Sequence, residues 1–227
     1  MPDADSPSFR LVPTWTANAE AWTRAVRGGG IPSRRAGTDA AVVEAVLDGL
    51  PPAGRVLDVG CGEGWLVRAL GALGATAHGV DVSRPLVEAA QAEGGGTFDV
   101  LDYDDAADSP ARLGGPYDAA VFNFSILGER AVAILGAARR QLEVGGRVVV
   151  QTAHPLTAGP PYADGWREET FGDFDGDFEP MPWYFRTFGS WVRTLDAAGL
   201  RLAEAREPIH PETGAPLSLL LVAEPVA

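Results

Sequence analysis

The sequence predicts an α/β domain on a doubly wound, mostly parallel sheet of seven strands, with an antiparallel last strand and an aromatic-rich insertion. Three observations carry this expectation. Apolar strand-like runs alternate with helical patterns from residue 55 to residue 152. Such repeated β/α alternation means a parallel sheet covered on both faces. A glycine-rich turn follows the first of these strands. The last two strand runs are joined by a connection too short for a crossover helix, so the final strand runs antiparallel to its neighbour. A length of 227 residues suits one such domain, and an apolar fraction of 46% supplies a core.

Each element has a local reason. Residues 1–13 are polar and proline-containing and are expected to lack structure. Residues 16–27 read as a short helix with Ala19, Trp22 and Val26 on one face, broken at Gly28–Gly30. Thr38 is placed to cap a helix running to Leu50, where Pro51 and Pro52 stop it. Arg55–Val59 is the first buried strand, and a helix from Trp65 to Leu73 follows its turn. Thr76–Val82 is the second strand, Pro85–Ala92 a helix, and Thr97–Leu101 the third strand, followed by an aspartate-rich loop. Tyr117–Asn123 is the fourth strand, 130–142 a helix, and Gly145-Gly146 turn into strand Arg147–Thr152. Residues 154–186 read as a long loop. A helix from Phe188 to Ala198 stops at Gly199, and strands Leu200–Ala205 and Leu217–Ala223 finish the sheet. The expected organisation is one domain: a cap (1–35), a core (36–153), a lid insertion (154–186) and the end of the sheet (187–227).

Charge and residue usage exclude several chemistries. The net charge is −13. A field of that sign repels phosphate backbones and anionic lipid, which argues against nucleic-acid and membrane partners. All 18 basic residues are arginine. Without lysine there is no Schiff-base chemistry and no P-loop lysine. Cys61 is the one cysteine, so no disulfide framework or cysteine-based zinc site is expected. The acidic stretch Asp173–Asp177 departs from the calcium-loop pattern, with Phe178 and Tyr184 where glycine and glutamate belong. No metal is therefore expected. Met1–Arg10 lacks a leader pattern and no apolar run reaches a membrane-spanning length, so a soluble cytoplasmic protein, monomer or homodimer, is expected.

The chemistry concentrates in Val56-Leu57-Asp58-Val59-Gly60-Cys61-Gly62-Glu63-Gly64. A buried strand ends in an acid and then in alternate glycines, which let the backbone turn sharply and approach a ligand. The helix behind them offers N–H groups to a negative group. A dinucleotide fingerprint would need its third glycine at position 65, which is Trp65. A pyrophosphate also fits poorly beside Asp58 and Glu63, whereas an amino-acid-bearing nucleoside can place its ammonium there. Asp81 ends the second strand, where a carboxylate can hold a ribose diol. Asp102, followed by Tyr103, ends the third strand, and Asn123 the fourth. Polar strand ends thus gather at the edge where open α/β sheets bind ligands.

At these residues the chain resembles the class I S-adenosylmethionine (SAM)-dependent methyltransferases, which are Rossmann-like. VLDVGCGEG resembles their first motif, HGVDVS the second and FDVLDYDD the third; YDAAVFNFSILGE and LEVGGRVVVQT resemble the fourth and fifth. The motifs cover about residues 36–153, and strand order extends the match to Ala223. The closest flavour is the small-molecule, ubiquinone-biosynthesis-like type. The resemblance implies SAM as cofactor. It places Gly60, Gly62 and Gly64 against the methionine part with Asp58 nearby, Asp81 with Val82 at the ribose, and Asp102 with Tyr103 at adenine. Asn123 joins this set, and Arg34 or Arg35 of IPSRRAGTD is offered to the SAM carboxylate, with Arg35 preferred.

The insertion supplies the candidate acceptor site. Residues 162–191 hold 10 of the 19 aromatics, and loops this long in compact domains are usually functional. Trp166, Trp183, Tyr184 and Phe185 are the candidate walls for a small, partly apolar or aromatic acceptor. His154 and His210 follow the fifth and sixth strands and are the candidate bases, although each precedes a proline and can serve a turn instead. The reading is methyl transfer from SAM to oxygen, nitrogen or carbon of a small molecule. Its rivals are a non-catalytic SAM-binding module and an NAD-dependent oxidoreductase.

Overall fold

The computed structural model describes residues 7–226. Seven strands form the main sheet: β1 (Arg55–Val59), β2 (Thr76–Asp81), β3 (Thr97–Val100), β4 (Tyr117–Asn123), β5 (Leu142–Ala153), β8 (Leu200–Arg206) and β9 (Ser218–Pro225). Their order is β3-β2-β1-β4-β5-β9-β8. β1 to β5 pair in parallel, and β9 inserts antiparallel between β5 and β8. The order reverses beside β1, which opens a crevice at the carboxyl ends of β1 and β4.

Helices cover both faces because the central strands are apolar on both. One core layer joins Leu57, Phe122, Val148 and Val150 to Ile134 and Leu135 of α7 (Ala131–Arg139) and Trp191 and Leu195 of α8 (Phe188–Ala197). The other joins Val56, Val121 and Val149 to Val42 and Val46 of α3 (Asp39–Leu47), Leu66 and Leu70 of α4 (Trp65–Ala72), and Val87 of α5 (Arg84–Glu93).

Several local expectations are corrected. Two helices, α1 (Pro7–Ala17) and α2 (Ala19–Gly28), replace the single helix expected over 16–27. Residues 7–13, expected to be unstructured, are helical because α1 packs against the insertion, a partner that local pattern does not show; residues 1–6 lie outside the described residues. Thr38 does not cap α3: a wide π-helical turn, Arg34–Thr38, kinks at Gly37 and runs into the helix, leaving Thr38 in helical geometry. The aspartate-rich loop forms a short helix, α6 (Tyr103–Asp108), because Asp102 accepts from the Asp104 N–H at 2.7 Å and caps it. β5 starts at Leu142, so Gly145 and Gly146 lie inside the strand, in a bulge opposite β4. The long loop contains an antiparallel hairpin, β6 (Gly165–Glu169) and β7 (Met181–Phe185). No helix among the described residues is long and apolar enough to cross a membrane.

Candidate active site

A cavity of about 340 Å³ opens at the carboxyl ends of β1, β2 and β4, roofed by α1, α2 and the hairpin. Its size falls in the range of about 300–1,000 Å³ typical of small-molecule sites. Asp58, Gly60, Gly62, Asp81, Val82, Asp102, Tyr103 and Asn123 line its sheet side. Topology brings them together, since each ends a strand or follows one at the same edge.

The glycine loop is held by backbone bonds. The N–H groups of Gly60 and Cys61 donate to the Val80 carbonyl at 2.7 and 3.0 Å. Gly60 has φ 82°, and a Cβ there would lie 2.3 Å from Ser125 Cβ. Only glycine satisfies both constraints. Gly64 is different: it does not line the cavity, and a Cβ would strike the Phe98 ring at 2.6 Å. It lets α4 start close to β3. Cys61 is buried, and burial raises its thiol pKa well above the ordinary value.

The acids divide by their partners. Glu63 is fully buried and turned away from the cavity, bonded to Arg68 at 2.7 Å and Arg27 at 2.9 Å. Asp81 accepts from the Gly62 N–H at 2.9 Å and the Ser83 N–H at 2.8 Å, so it also braces the glycine loop. Burial raises its pKa to about 6. Asp58 is 2% exposed, and its Oδ1 has no hydrogen-bond partner. Burial, and then the charge of Asp81, raise its pKa to about 8. An unpaired buried acceptor costs about 1–3 kcal/mol. The glycine-loop end of the cavity therefore holds a buried acceptor that no group of the protein satisfies. Asn123 Oδ1 is likewise buried without a partner. The Tyr103 hydroxyl faces the Val59 and Ser125 carbonyls at 3.3 and 3.2 Å. Desolvation raises its pKa, so this phenol stays protonated.

Other predicted residues fall elsewhere. Arg35 is exposed and bonds the Gly29 carbonyl. Its neighbour Arg34 lines the cavity instead, stacked 4.2 Å over the Trp65 ring and bonded to Asp39. Of the four candidate acceptor walls, only Trp183 lines the cavity. The pleat explains two exclusions: Trp166 and Tyr184 are directly paired across the hairpin, on the face opposite Trp183. Trp166 donates there to Glu129 at 2.9 Å. Phe185 shares the face of Trp183 but packs beyond the cavity under Arg167, 3.5 Å from the ring centroid.

Neither candidate histidine lines the cavity. His154 is buried beside Glu207, its Nε2 2.8 Å from Glu207 Oε1. His210 closes a turn, its Nδ1 accepting from the Glu212 N–H at 3.2 Å. Parallel strands do put the end of β8 at the ligand edge. However, β8 lies four strands from β1, about 19 Å at ordinary strand spacing.

Sequence reasoning missed Leu11, Val12, Trp15, Trp22, Phe171, Phe174 and Met181, which complete the apolar wall. Their aromatic clustering was visible, but which rings face inward depends on helix docking and hairpin register. Among the described residues no group of three or more His, Cys, Asp or Glu is arranged to hold a metal.

A methyltransferase domain model matches residues 34–205. The chain belongs to the methyltransferase domain family. It is a SAM-dependent enzyme of class I, with the sheet that class requires. Three solved structures illustrate the shared fold. A magnesium protoporphyrin IX methyltransferase from Synechocystis with bound SAM has TM-score 0.67 at 19% identity, covering 98% of this chain and 99% of that one. The CcbJ methyltransferase from Streptomyces caelestis has TM-score 0.67 at 19% identity, with 94% and 97% covered. A SAM-dependent methyltransferase from Mesorhizobium loti has TM-score 0.61 at 23% identity, with 82% and 98% covered. No curated protein sequence matches the methyltransferase significantly.

Proposed function

We propose that this methyltransferase acts on a small, partly apolar or aromatic molecule. The observation that carries the reading is the composition of the cavity's roof. Leu11, Val12, Trp15, Phe174, Met181 and Trp183 face the same space as the glycine loop and the acidic strand ends. An acceptor held there is shielded from water and adjoins the SAM seat. Within this reading the cap (1–35) and lid (154–186) act as one wall on the core (36–153), with 187–227 completing the sheet.

SAM supplies an electrophilic methyl group on sulfur when bound. The chain's residues do the rest. Asp58 would take the ammonium, Asp81 with Val82 the ribose, and Asp102 with Tyr103 the adenine. Gly60 and Gly62 leave room at the backbone, Asn123 sits at the boundary with the acceptor, and Arg34 replaces Arg35 as the arginine at hand. Rate enhancement comes from positioning and water exclusion. With both histidines outside the cavity, proton removal falls to water or to a carboxylate on the cavity wall.

The test is incubation with methyl-labelled SAM and a pool of small metabolites, read by mass spectrometry. Labelled low-mass products are expected. Label confined to protein or nucleic acid would overturn the small-molecule reading.

A further inference from the structure

The acceptor end of the cavity combines aromatic faces with uncompensated negative charge. Ring centroids run Trp15–Trp22 at 4.9 Å, Trp22–Phe174 at 6.1 Å and Phe174–Phe171 at 5.5 Å. All four rings line the cavity. The run touches the glycine loop through Trp22, whose Nε1 would lie 3.4 Å from a Cβ on Gly62. This wall therefore adjoins the place where the methionine part of SAM belongs.

Glu169 ends β6 beside the run and lines the same cavity. Its Oε1 accepts from the Phe171 N–H at 2.8 Å. Among the described residues no arginine or histidine forms an ion pair with it. The two arginines that line the cavity are already committed. Arg34 bonds both oxygens of Asp39 at 2.9 and 3.0 Å, and Arg130 bonds Asp104 at 2.7 Å. The acceptor end thus holds a carboxylate and no free cation. Aromatic faces attract a cation within about 6 Å of the ring centroid, and the neighbouring carboxylate adds a Coulomb attraction. An anionic acceptor meets repulsion from the same groups.

We propose that the acceptor is an organic amine, held as its cation by the Trp15–Trp22–Phe174–Phe171 wall with Glu169 as counter-charge, and that nitrogen is methylated. The proposal rests on the methyl-transfer reading above and narrows its substrate class. The bound ammonium first gives a proton to Glu169 or water. The freed lone pair forms the N–CH₃ bond while the C–S bond breaks with its electron pair left on sulfur. The product leaves as a methylated ammonium.

The test uses probes that cannot be methylated, so that turnover is not the readout. Binding of phenyltrimethylammonium, its neutral isostere tert-butylbenzene, and benzoate is measured by tryptophan fluorescence. The wild-type protein should bind the cation about tenfold or more tightly than the neutral isostere, and benzoate least. Glu169→Gln keeps a carbonyl for the Phe171 N–H but loses the charge. It should cut the cation's advantage to about threefold or less and leave the neutral probe unchanged. Equal or tighter binding of the neutral or anionic probe by wild type overturns the proposal, and this comparison needs no variant. A preference that survives Glu169→Gln in a folded protein overturns the role of Glu169. Methyl transfer is read separately in the labelled-SAM screen: a neutral molecule as the sole product would refute the amine class and leave methyl transfer standing.

Discussion

Binding of SAM should release a proton at mildly acidic pH, and Asp58 is the source. The carboxyl is 2% exposed and its pKa is raised to about 8, first by burial and then by Asp81. At pH 6.5 the free protein therefore carries this group protonated. An ammonium placed against it favours the ionised form, so binding expels the proton. Linkage then requires affinity to rise about tenfold, or about 1.4 kcal/mol, from pH 6 to pH 7. The rise stops near pH 8, where Asp58 ionises unaided and the amino group of SAM, with a pKa of about 8, begins to lose its charge. Isothermal titration at pH 6.5 in buffers of different ionisation enthalpy counts the proton. About one released proton is expected, falling well below one in Asp58→Asn. A buffer-independent heat in the wild type would refute the placement of the ammonium on Asp58. The same shift has a stability sign. A carboxyl whose folded pKa exceeds its unfolded value near 3.8 stabilises at low pH, and that stability is lost as pH rises towards about 8. The unliganded wild type should melt progressively lower from pH 5 to pH 8, and Asp58→Asn should flatten the slope.

Three further outcomes follow from the geometry. Gly60→Ala should lower the melting temperature and abolish SAM binding in calorimetry, because its Cβ would sit 2.3 Å from Ser125 Cβ at φ 82°. Trp183→Ala should preserve SAM affinity while raising KM for the acceptor about tenfold or more. Tyr184→Phe, on the opposite face of the hairpin, should change neither. His154→Gln and His210→Gln should each keep the wild-type pH–rate profile; a loss of about a hundredfold in kcat with intact SAM binding would restore one of them as a base.

The parts legible in the sequence were those specified by contiguous residues. The pattern Asp58, Gly60, Gly62, Asp81, Asp102, Asn123 is written at the ends of successive strands, and a parallel sheet places every such end at one edge. No long-range knowledge was needed to bring those side chains together. The antiparallel last strand followed from its connection, which is too short for a crossover helix. Tertiary structure decided what depends on docking and register. Trp183 and Tyr184 are adjacent in sequence, yet only one lines the cavity, because the side chains of a strand alternate and the pairing of Trp166 with Tyr184 turns that pair outward. The sequence favours Arg35, but the π-helical turn directs Arg34, not Arg35, toward Trp65 and the cavity. His210 reaches the correct edge but lies too many strands from β1, since distance across a sheet grows with each strand and leaves no trace in local sequence. Leu11, Trp15 and Trp22 gain their place only when α1 and α2 dock on the hairpin and glycine loop, an encounter between segments about 150 residues apart that no local pattern encodes.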